Sequence, residues 1–426
     1  MPLMRIPYTD PLPAPRIIPS SAASTAGAVE ALVRFLTSSP GELPAPSRAR
    51  RHLTPPSAAL QPSPTAPPPS AAAADDARLR ERKTLLLTGA GVSVASGLAD
   101  YRGTRGTYTL NKTYRPTYYH EFVARHDARK RYWARSFLGS ANLERAKPNA
   151  AHYAIGELGR QGIVGKVITQ NVDSFHPIAH PTLPTIELHG YLRTAVCLSC
   201  RREYPRQEFQ EELARLNPPW AAFLQEMIAS GALDTENPTE RRRRGLKTNP
   251  DGDVDLGGGV DYSTFQYPAC PKCLADPPVL ANGERGIINV DANGAWLPTS
   301  TAGVLKPNVI MFGESISNAV KEAAEAAVDN AGKLLVIGSS LATYSAWRLA
   351  KQALELGLPI GILNMGGVRG EDAFFAHVDE SDKGESAFRC AGPAEEILPQ
   401  AVDEIEKLTG RRVNASETCA NIEAVA

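Results

Sequence analysis

The chain has 426 residues, 42% of them hydrophobic, enough to bury a core in two or three domains. Lys and Arg number 46 and Asp and Glu 46, so the formal net charge is zero, and the balance excludes nucleic acid or an anionic membrane as a partner chosen by bulk charge. No apolar run approaches the roughly 18 residues needed to cross a bilayer, and six cysteines without a recognisable secretory signal point to metal binding and not to a disulfide framework.

Residues 1–16 are Pro-rich and irregular, and they meet the description of a mitochondrial targeting segment, Arg-rich and acid-poor, only loosely. Ser20 and Ser21 then offer N-cap oxygens to a helix, ending by Ser38, in which Val29, Leu32, Val33, Phe35 and Leu36 recur at helical spacing. From 40 to 77 the chain is mostly Pro, Ala and Ser with almost no apolar periodicity, the composition of a disordered insertion. Leu85-Leu86-Leu87 has the length of a buried parallel strand, and the small residues after it, Gly89, Ala90 and Gly91, would let a pyrophosphate reach main-chain N–H groups at a following helix N-terminus. Their spacing is not the ordinary dinucleotide fingerprint, because Gly91 leads to Ser93, Ser96 and Gly97; routine hydride transfer is excluded.

The polar loop 103–115, with Gly106, Tyr108, Asn111 and Lys112, reads as a lid over a cofactor. Charge-rich residues 119–137 read as one helix that places Tyr132 and Arg135 on one face, where a salt-bridged surface is the plainer alternative. A helix near 150–160 precedes a second strand at 164–168 that runs into Gln170, Asn171, Val172 and Asp173. After a further strand-like piece comes Glu187-Leu188-His189-Gly190. Polar clusters at strand ends in an alternating strand and helix pattern belong at the carboxyl edge of a parallel sheet, where amides and carboxylates suit a ribose and a histidine can serve as base. Taken alone, each could be a structural polar residue.

The strongest signal is metallic. Cys197-x-x-Cys200 and Cys270-x-x-Cys273 form two knuckles with the four thiolates of a closed structural zinc site. The long gap from 201 to 269 calls for a small module between them, with a helix over 213–227 and a loose, charged 241–260 in which Arg241–Arg244 reads as a solvated loop. A second insertion, 274–304, suggests a small hairpin around 287–290. Beyond it a helix over 317–331, a strand over 334–337 ending at Gly338-Ser339-Ser340, a helix over 346–356 and a strand over 359–363 ending at Asn364-Met365-Gly366 complete a doubly-wound pattern. Residues 409–426 read as a tail.

The string Gly-Ala-Gly-x-Ser-x-x-Ser-Gly-x-x-Asp-Tyr-Arg at 89–102 resembles the first motif of the sirtuins, the NAD-consuming protein lysine deacylases. With RKRYWARSFLG, LNPPW, PDGDV, TFQYPAC, LKPNVIMFGE, GSSLATYS and LPIGILNMG, the chain from about 17 to 398 resembles the class II sirtuins and, among them, the mitochondrial branch called sirtuin four. The resemblance implies an α/β fold with a Rossmann-like NAD lobe and a smaller zinc lobe at about 190–304 within a catalytic domain spanning 78–408, to which the helix at 17–39 also belongs. It also implies an acyl-lysine tunnel between the lobes. NAD is then the co-substrate, one structural zinc ion the metal, acyl-lysine proteins the partners, and a monomer in the mitochondrial matrix the expected state.

Residue by residue, the resemblance makes His189 the general base, with Asn171 and Asp173 as its catalytic neighbours. Gly89, Ala90, Gly91 and Ser93 line the pyrophosphate, and Asp100, Tyr101, Arg102 and Tyr108 the cofactor loop. Gln170, Asn171, Val172 and Asp173 hold the nicotinamide side; Gly338, Ser339, Ser340, Asn364, Met365, Gly366 and Cys390 the adenosine side. Phe312, Gly313 and Glu314 flank a substrate strand, a β-augmentation mode. Tyr132 and Arg135 have the Tyr-x-x-Arg spacing that in class II relatives reads an acidic acyl chain, since arginine grips a carboxylate bidentately. The alternatives are protein ADP-ribosyl transfer, lipoamidase activity, or a catalytically silent NAD-sensing scaffold. Two departures stand out: Ala99 replaces the family's proline, and Pro-Ile-Ala-His-Pro replaces the usual glycine-rich continuation after His176.

Overall fold

The computed structural model describes residues 12–38, 83–111, 114–235, 237–248, 254–255, 261–379 and 382–410. The insertion expected at 40–77, the first residues of the chain, the tail after 410 and most of the Gly-rich part of 241–260 lie outside the described residues. In chain order the strands are β1 (Thr84–Thr88), β2 (Val164–Thr169), β3 (Thr185–Glu187), β4 (Gly190–Cys197), β5 (Glu203–Pro205), β6 (Lys247–Thr248), β7 (Val254–Asp255), β8 (Leu305–Val309), β9 (Lys333–Ile337), β10 (Ile360–Leu363) and β11 (Ala387–Cys390).

Six of these form one parallel sheet in the order β11-β10-β9-β1-β2-β3. Counted along the chain, its strands run 3-2-1-4-5-6, the order of a doubly wound nucleotide-binding sheet, whose direction reverses between β1 and β9. Alternate residues of the apolar strands point to opposite faces. Leu86, Val167, Leu335, Ile337, Leu363 and Phe388 pack under helices Thr25–Thr37, Ala150–Arg160 and Ala394–Thr409. Leu85, Leu87, Ile168, Leu334, Val336, Ile360 and Ile362 pack under Asn318–Asp329 and Tyr344–Glu355. Leu86, Leu335 and Phe388 are fully buried, so truncating any of them to alanine costs about 2–5 kcal/mol.

The chain leaves this sheet after β3 and returns at β9, and the smaller lobe is built in between. Its sheet, in the order β5-β4-β8, is antiparallel. The core beside it joins Trp220, Phe265 and Tyr267 to Trp133 and Phe137 from the helix His126–Arg145, an element outside the 190–304 range.

Several elements differ from the sequence expectation. The first helix is capped by Ser24, whose hydroxyl accepts from the Gly27 N–H, while Ser20 and Ser21 belong to a preceding 3-10 turn. Residues 12–16, part of the stretch 1–16 expected to be irregular, form no helix or strand but lie along the large lobe: the Arg16 guanidinium donates to the Phe375 carbonyl, and just beyond them Ile18 pairs with Arg389. After β1 the small-residue turn enters a 3-10 helix, Ala90–Ser96, and not an α-helix, so little macrodipole stands behind it. The helix expected over 119–137 is two, Tyr119–Ala124 and His126–Arg145, with Arg125 extended between them. The buried Arg129 guanidinium takes the Phe122 and Val123 carbonyls, satisfying the end of the first helix. The helix expected over 213–227 also divides, at Asn217, whose extended φ fits a residue before proline and whose amide donates to the Leu213 carbonyl. Around 287–290 the small hairpin is a short one, with an antiparallel bridge from Val290 to Trp296 and the Asp291 and Leu297 N–H groups donating to the Ala295 and Asn289 carbonyls.

Candidate active site

Two turns meet at the carboxyl edge, where the strand order reverses. Gly89 and Gly91 leave β1 against Gly338, which follows β9: the Gly91 N–H donates to the Gly338 carbonyl at 2.8 Å. The approach leaves no room for side chains, because a Cβ on Gly91 would stand 2.8 Å from the Gly338 Cα, and Gly338 itself has φ +60°. Behind the turn, polar side chains bind one another. Asn171 donates to the Gly89 carbonyl and to the Ser93 hydroxyl, each at 3.2 Å, and Ser93 donates to Asp173 at 2.7 Å. Burial pushes the Asp173 carboxyl above its ordinary range, opposed by hydrogen bonds from the Phe175 N–H and Ser93. The Gln170 amide donates to the Ser339 hydroxyl at 2.7 Å, and the Val172 carbonyl receives the Leu192 N–H, linking the cluster to β4.

His189 lies between β3 and β4. Its Nδ1 is 3.1 Å from the Gln170 carbonyl oxygen, and its Nε2 is 2.7 Å from the Ser345 hydroxyl. A carbonyl can only accept, so Nδ1 carries the proton and Nε2 holds the lone pair. Burial pushes the imidazole down to about 4, leaving it neutral and basic in form near pH 7.

The loop after the turn is held by Asp100, which accepts from the Gly103 N–H, and its rings stack: Tyr101 on Tyr108 with centroids 5.6 Å apart, and Arg102 over Tyr108. The Tyr108 hydroxyl is buried without a hydrogen-bond partner among the described residues. Tyr108 also meets Tyr114 edge-on, and Arg135 lies over Tyr114 while donating to the Arg115 carbonyl. Tyr132, one turn earlier on the same helix, packs edge-on against Phe122 and Trp133.

Across the edge, Asn364 donates to the Gly366 carbonyl, Met365 is exposed, and Cys390 is buried at the end of β11, its carbonyl accepting the Asn364 N–H. The Ser340 carbonyl accepts from the Arg369 N–H. Of the 312–314 loop, the Phe312 carbonyl receives the Tyr119 N–H and Gly313 has φ +82°. The Glu314 carboxylate is committed to the Met311 N–H and to the buried Lys306 ammonium at 3.1 Å. It therefore shapes its own loop.

Residues that sequence reasoning missed hold this arrangement. Ser345 meets the histidine, Thr343 donates to the Gln170 side chain, and Asn149 donates to the Val92 carbonyl and Ser96. Beneath the Asn364–Gly366 turn, Arg389 donates to the Asn364 and Gly366 carbonyls and pairs with Glu371, both buried. Thr343 and Ser345 lie in a stretch that the sequence did single out, but their contacts span more than 150 residues of chain and leave no local signal.

The four knuckle cysteines converge. All four sulfurs lie within 4.8 Å of one another, with Cys197 to Cys273 and Cys200 to Cys270 each at 3.6 Å. Ligands around a tetrahedral ion with bonds of about 2.3 Å would stand about 3.8 Å apart, so the set fits one. The Ser199 N–H and the Cys273 N–H point at Cys197 and Cys270 sulfurs, a donor set suited to thiolates.

Compared with known families, residues 89–345 match the Sir2 family. The chain belongs to the Sir2 family. Among its relatives, an NAD-dependent protein deacylase SIR4 of Batrachochytrium dendrobatidis is 39% identical over 68% of this chain and 83% of its own length. The NAD-dependent protein deacylase SRT2 of Arabidopsis thaliana is 35% identical over 69% of each, and an NAD-dependent protein deacetylase of Bordetella bronchiseptica is 33% identical over 75% of this chain and 93% of its own. The Sir2 match takes in the turn at 89–91, the polar cluster at 170–173, His189, all four cysteines and Ser345.

Proposed function

We propose that this Sir2-family enzyme is an NAD-dependent protein lysine deacylase, in which ADP-ribose receives the acyl group and nicotinamide is released. The observation that carries the reading is His189: a buried, neutral imidazole at the carboxyl end of β3, its proton fixed on Nδ1 by the carbonyl of Gln170, the residue that precedes Asn171 in the polar cluster after β2, and its Nε2 facing Ser345, which lies beyond β9. The residues present fit the dinucleotide, because the Tyr108 hydroxyl in the loop that follows the first turn is buried with no hydrogen-bond partner among the described residues, and the two glycine turns bring main chain together without side chains.

When bound, NAD supplies an activated ribose and a leaving group. Gly89, Ala90, Gly91 and Ser93 would border its pyrophosphate; Asp100, Tyr101, Arg102 and Tyr108 would cover it. Gln170, Asn171, Val172 and Asp173 would orient the nicotinamide ribose, and Gly338, Ser339, Ser340, Asn364, Met365, Gly366 and Cys390 the adenosine. His189 Nε2 would take the proton of a ribose hydroxyl. The peptide would lie between 312–314 and the segment after Ser340. Zinc is the ion we assign to the four cysteines; a set of four protein ligands leaves no position for substrate, so its role is structural.

A preference for acyl groups larger or more acidic than acetyl, as in the class II branch, is supported by Arg135 reaching the cofactor loop through Tyr114 and Tyr108. Incubation with NAD and acetyl-, succinyl-, glutaryl- and lipoyl-lysine peptides, followed by mass spectrometry of peptide and O-acyl-ADP-ribose, tests both parts. His189→Ala should lower turnover by about 10²–10⁴-fold with metal content unchanged. Turnover that survives in that variant overturns the mechanism; ADP-ribose transferred to protein alone would favour the transferase alternative.

A further inference from the structure

Ser345 stands at the second position of the helix Tyr344–Glu355, half-buried, 156 residues from His189 in the chain, with its hydroxyl oxygen 2.7 Å from Nε2. The proton of the neutral ring is on Nδ1, so the hydrogen bond at Nε2 runs one way: the serine hydroxyl donates and the imidazole accepts. A neutral imidazole has a single in-plane lone pair, and that lone pair is what a general base offers to the hydroxyl it deprotonates. Ser345 and a substrate hydroxyl cannot both have it.

We infer that Ser345 is a positioning residue that occupies the lone pair of His189 in the free enzyme, standing in for the ribose hydroxyl, and that it must turn away before the ribose engages the base. The inference rests on the reading of His189 as base. Two features give it content. The ring is held from the other side by a main-chain carbonyl, so it cannot escape the serine by rotating without losing the Gln170 bond. Ser345, by contrast, moves by rotation about its own χ1 alone. Its neighbours on the same segment are tied to the site already, with Thr343 donating to the Gln170 side chain at 3.0 Å, so the segment that would flank the peptide also reports on the base. A serine in this place keeps the imidazole oriented and satisfied while the site is empty, at the expense of affinity for the first substrate hydroxyl to arrive.

The decisive variant is Ser345→Ala in the full chain, assayed with NAD at saturating acyl-lysine peptide. Expected is a fall in KM for NAD with kcat maintained, raising kcat/KM by roughly three- to tenfold, the factor carried by one neutral hydrogen bond. Ser345→Thr, which keeps a hydroxyl, should restore the lower value. A kcat that falls tenfold or more at unchanged KM would make the serine a proton relay between ribose and imidazole and overturn the inference, as would an unchanged kcat/KM. His189→Ala separates the two readings: turnover surviving there sinks the base assignment, whereas loss of turnover there with no effect of Ser345→Ala sinks only the role of the serine. Melting temperature and metal content establish that each variant folds. In the wild type, the ¹⁵N resonance of His189 Nε2 should shift on addition of ADP-ribose, and in Ser345→Ala it should already differ in the free enzyme; a resonance indifferent to Ser345→Ala contradicts the contact.

Discussion

Arg389 and Glu371 form an ion pair at 2.8 Å with side-chain exposures of 0% and 1%. Their remaining valences are filled: Glu371 accepts from the Arg16 and Val368 N–H groups, and Arg389 donates to three carbonyls around the turn at 364–366. Removing one partner strands the other, so Glu371→Ala should cost about 3–5 kcal/mol, read as a lowered denaturant midpoint. Because the same arginine ties the Asn364–Gly366 turn, a raised KM for NAD should accompany it. A second buried group lies beside the polar cluster that follows β2. His176 Nε2 meets Thr88 at 2.8 Å and its Nδ1 meets His180 at 2.9 Å, while His152 stacks edge-on against it. Burial holds His152 down at about 4 against an ordinary 6.5 and depresses His176 well below that value. With folded values below unfolded ones, the unfolded chain binds more protons below pH 6.5, so their contribution to stability is complete above that pH and is lost as pH falls toward 4. Melting scans should show this decline, roughly 2–4 °C for each kcal/mol lost. A melting temperature flat from pH 7.5 to 5 would mean that these histidines titrate normally.

At the scale of the element, the turns after β1 and β9 act as a unit. A Cβ on Gly338 would come within 2.3 Å of the Val92 nitrogen, and its φ of +60° disfavours any L side chain. Gly338→Ala should therefore lose at least about 1–2 kcal/mol and, by prising the turns apart, weaken NAD binding measured by calorimetry. The strands themselves were legible because buried parallel strands are short apolar runs, and Leu85–Leu87, Val164–Ile168 and Leu334–Ile337 are such runs; the cysteine knuckles were legible because their spacing is itself geometry. The break at Arg125 was not. Nothing in its neighbourhood is a helix breaker; the interruption is fixed by Arg129 filling the carbonyls of the first helix. Asn217, before two prolines, carried a signal that apolar periodicity alone overlooked. Ser24 was overlooked because Ser20 and Ser21 are equally good caps in isolation, and only the 3-10 turn they form excludes them. The Ser345 contact and the Arg389 network depend on the strand order, which periodicity does not reveal.

At the scale of the whole molecule, the smaller lobe should depend on its four converging cysteines in a way the parallel sheet does not. Cys197 ends β4 and Cys270 begins a short helix, so without an ion four buried or half-buried thiols are left to repel as thiolates or to protonate. Prolonged chelation should increase hydrogen exchange in β4, β5, β8 and the helices Arg206–Leu216 and Pro218–Ala229, while β1, β2, β9 and β10 stay protected; uniform deprotection would mean that the lobes share one cooperative unit. The path of the chain between the lobes has a mechanical consequence. Only Leu188 and His189 separate the last outer strand of one sheet from the first strand of the other, and the returning Ile310 clasps the His189 carbonyl. The main chain carrying the imidazole is thus tied to both sheets at once, so a displacement of either sheet would be felt at the base before it reached the rest of the site.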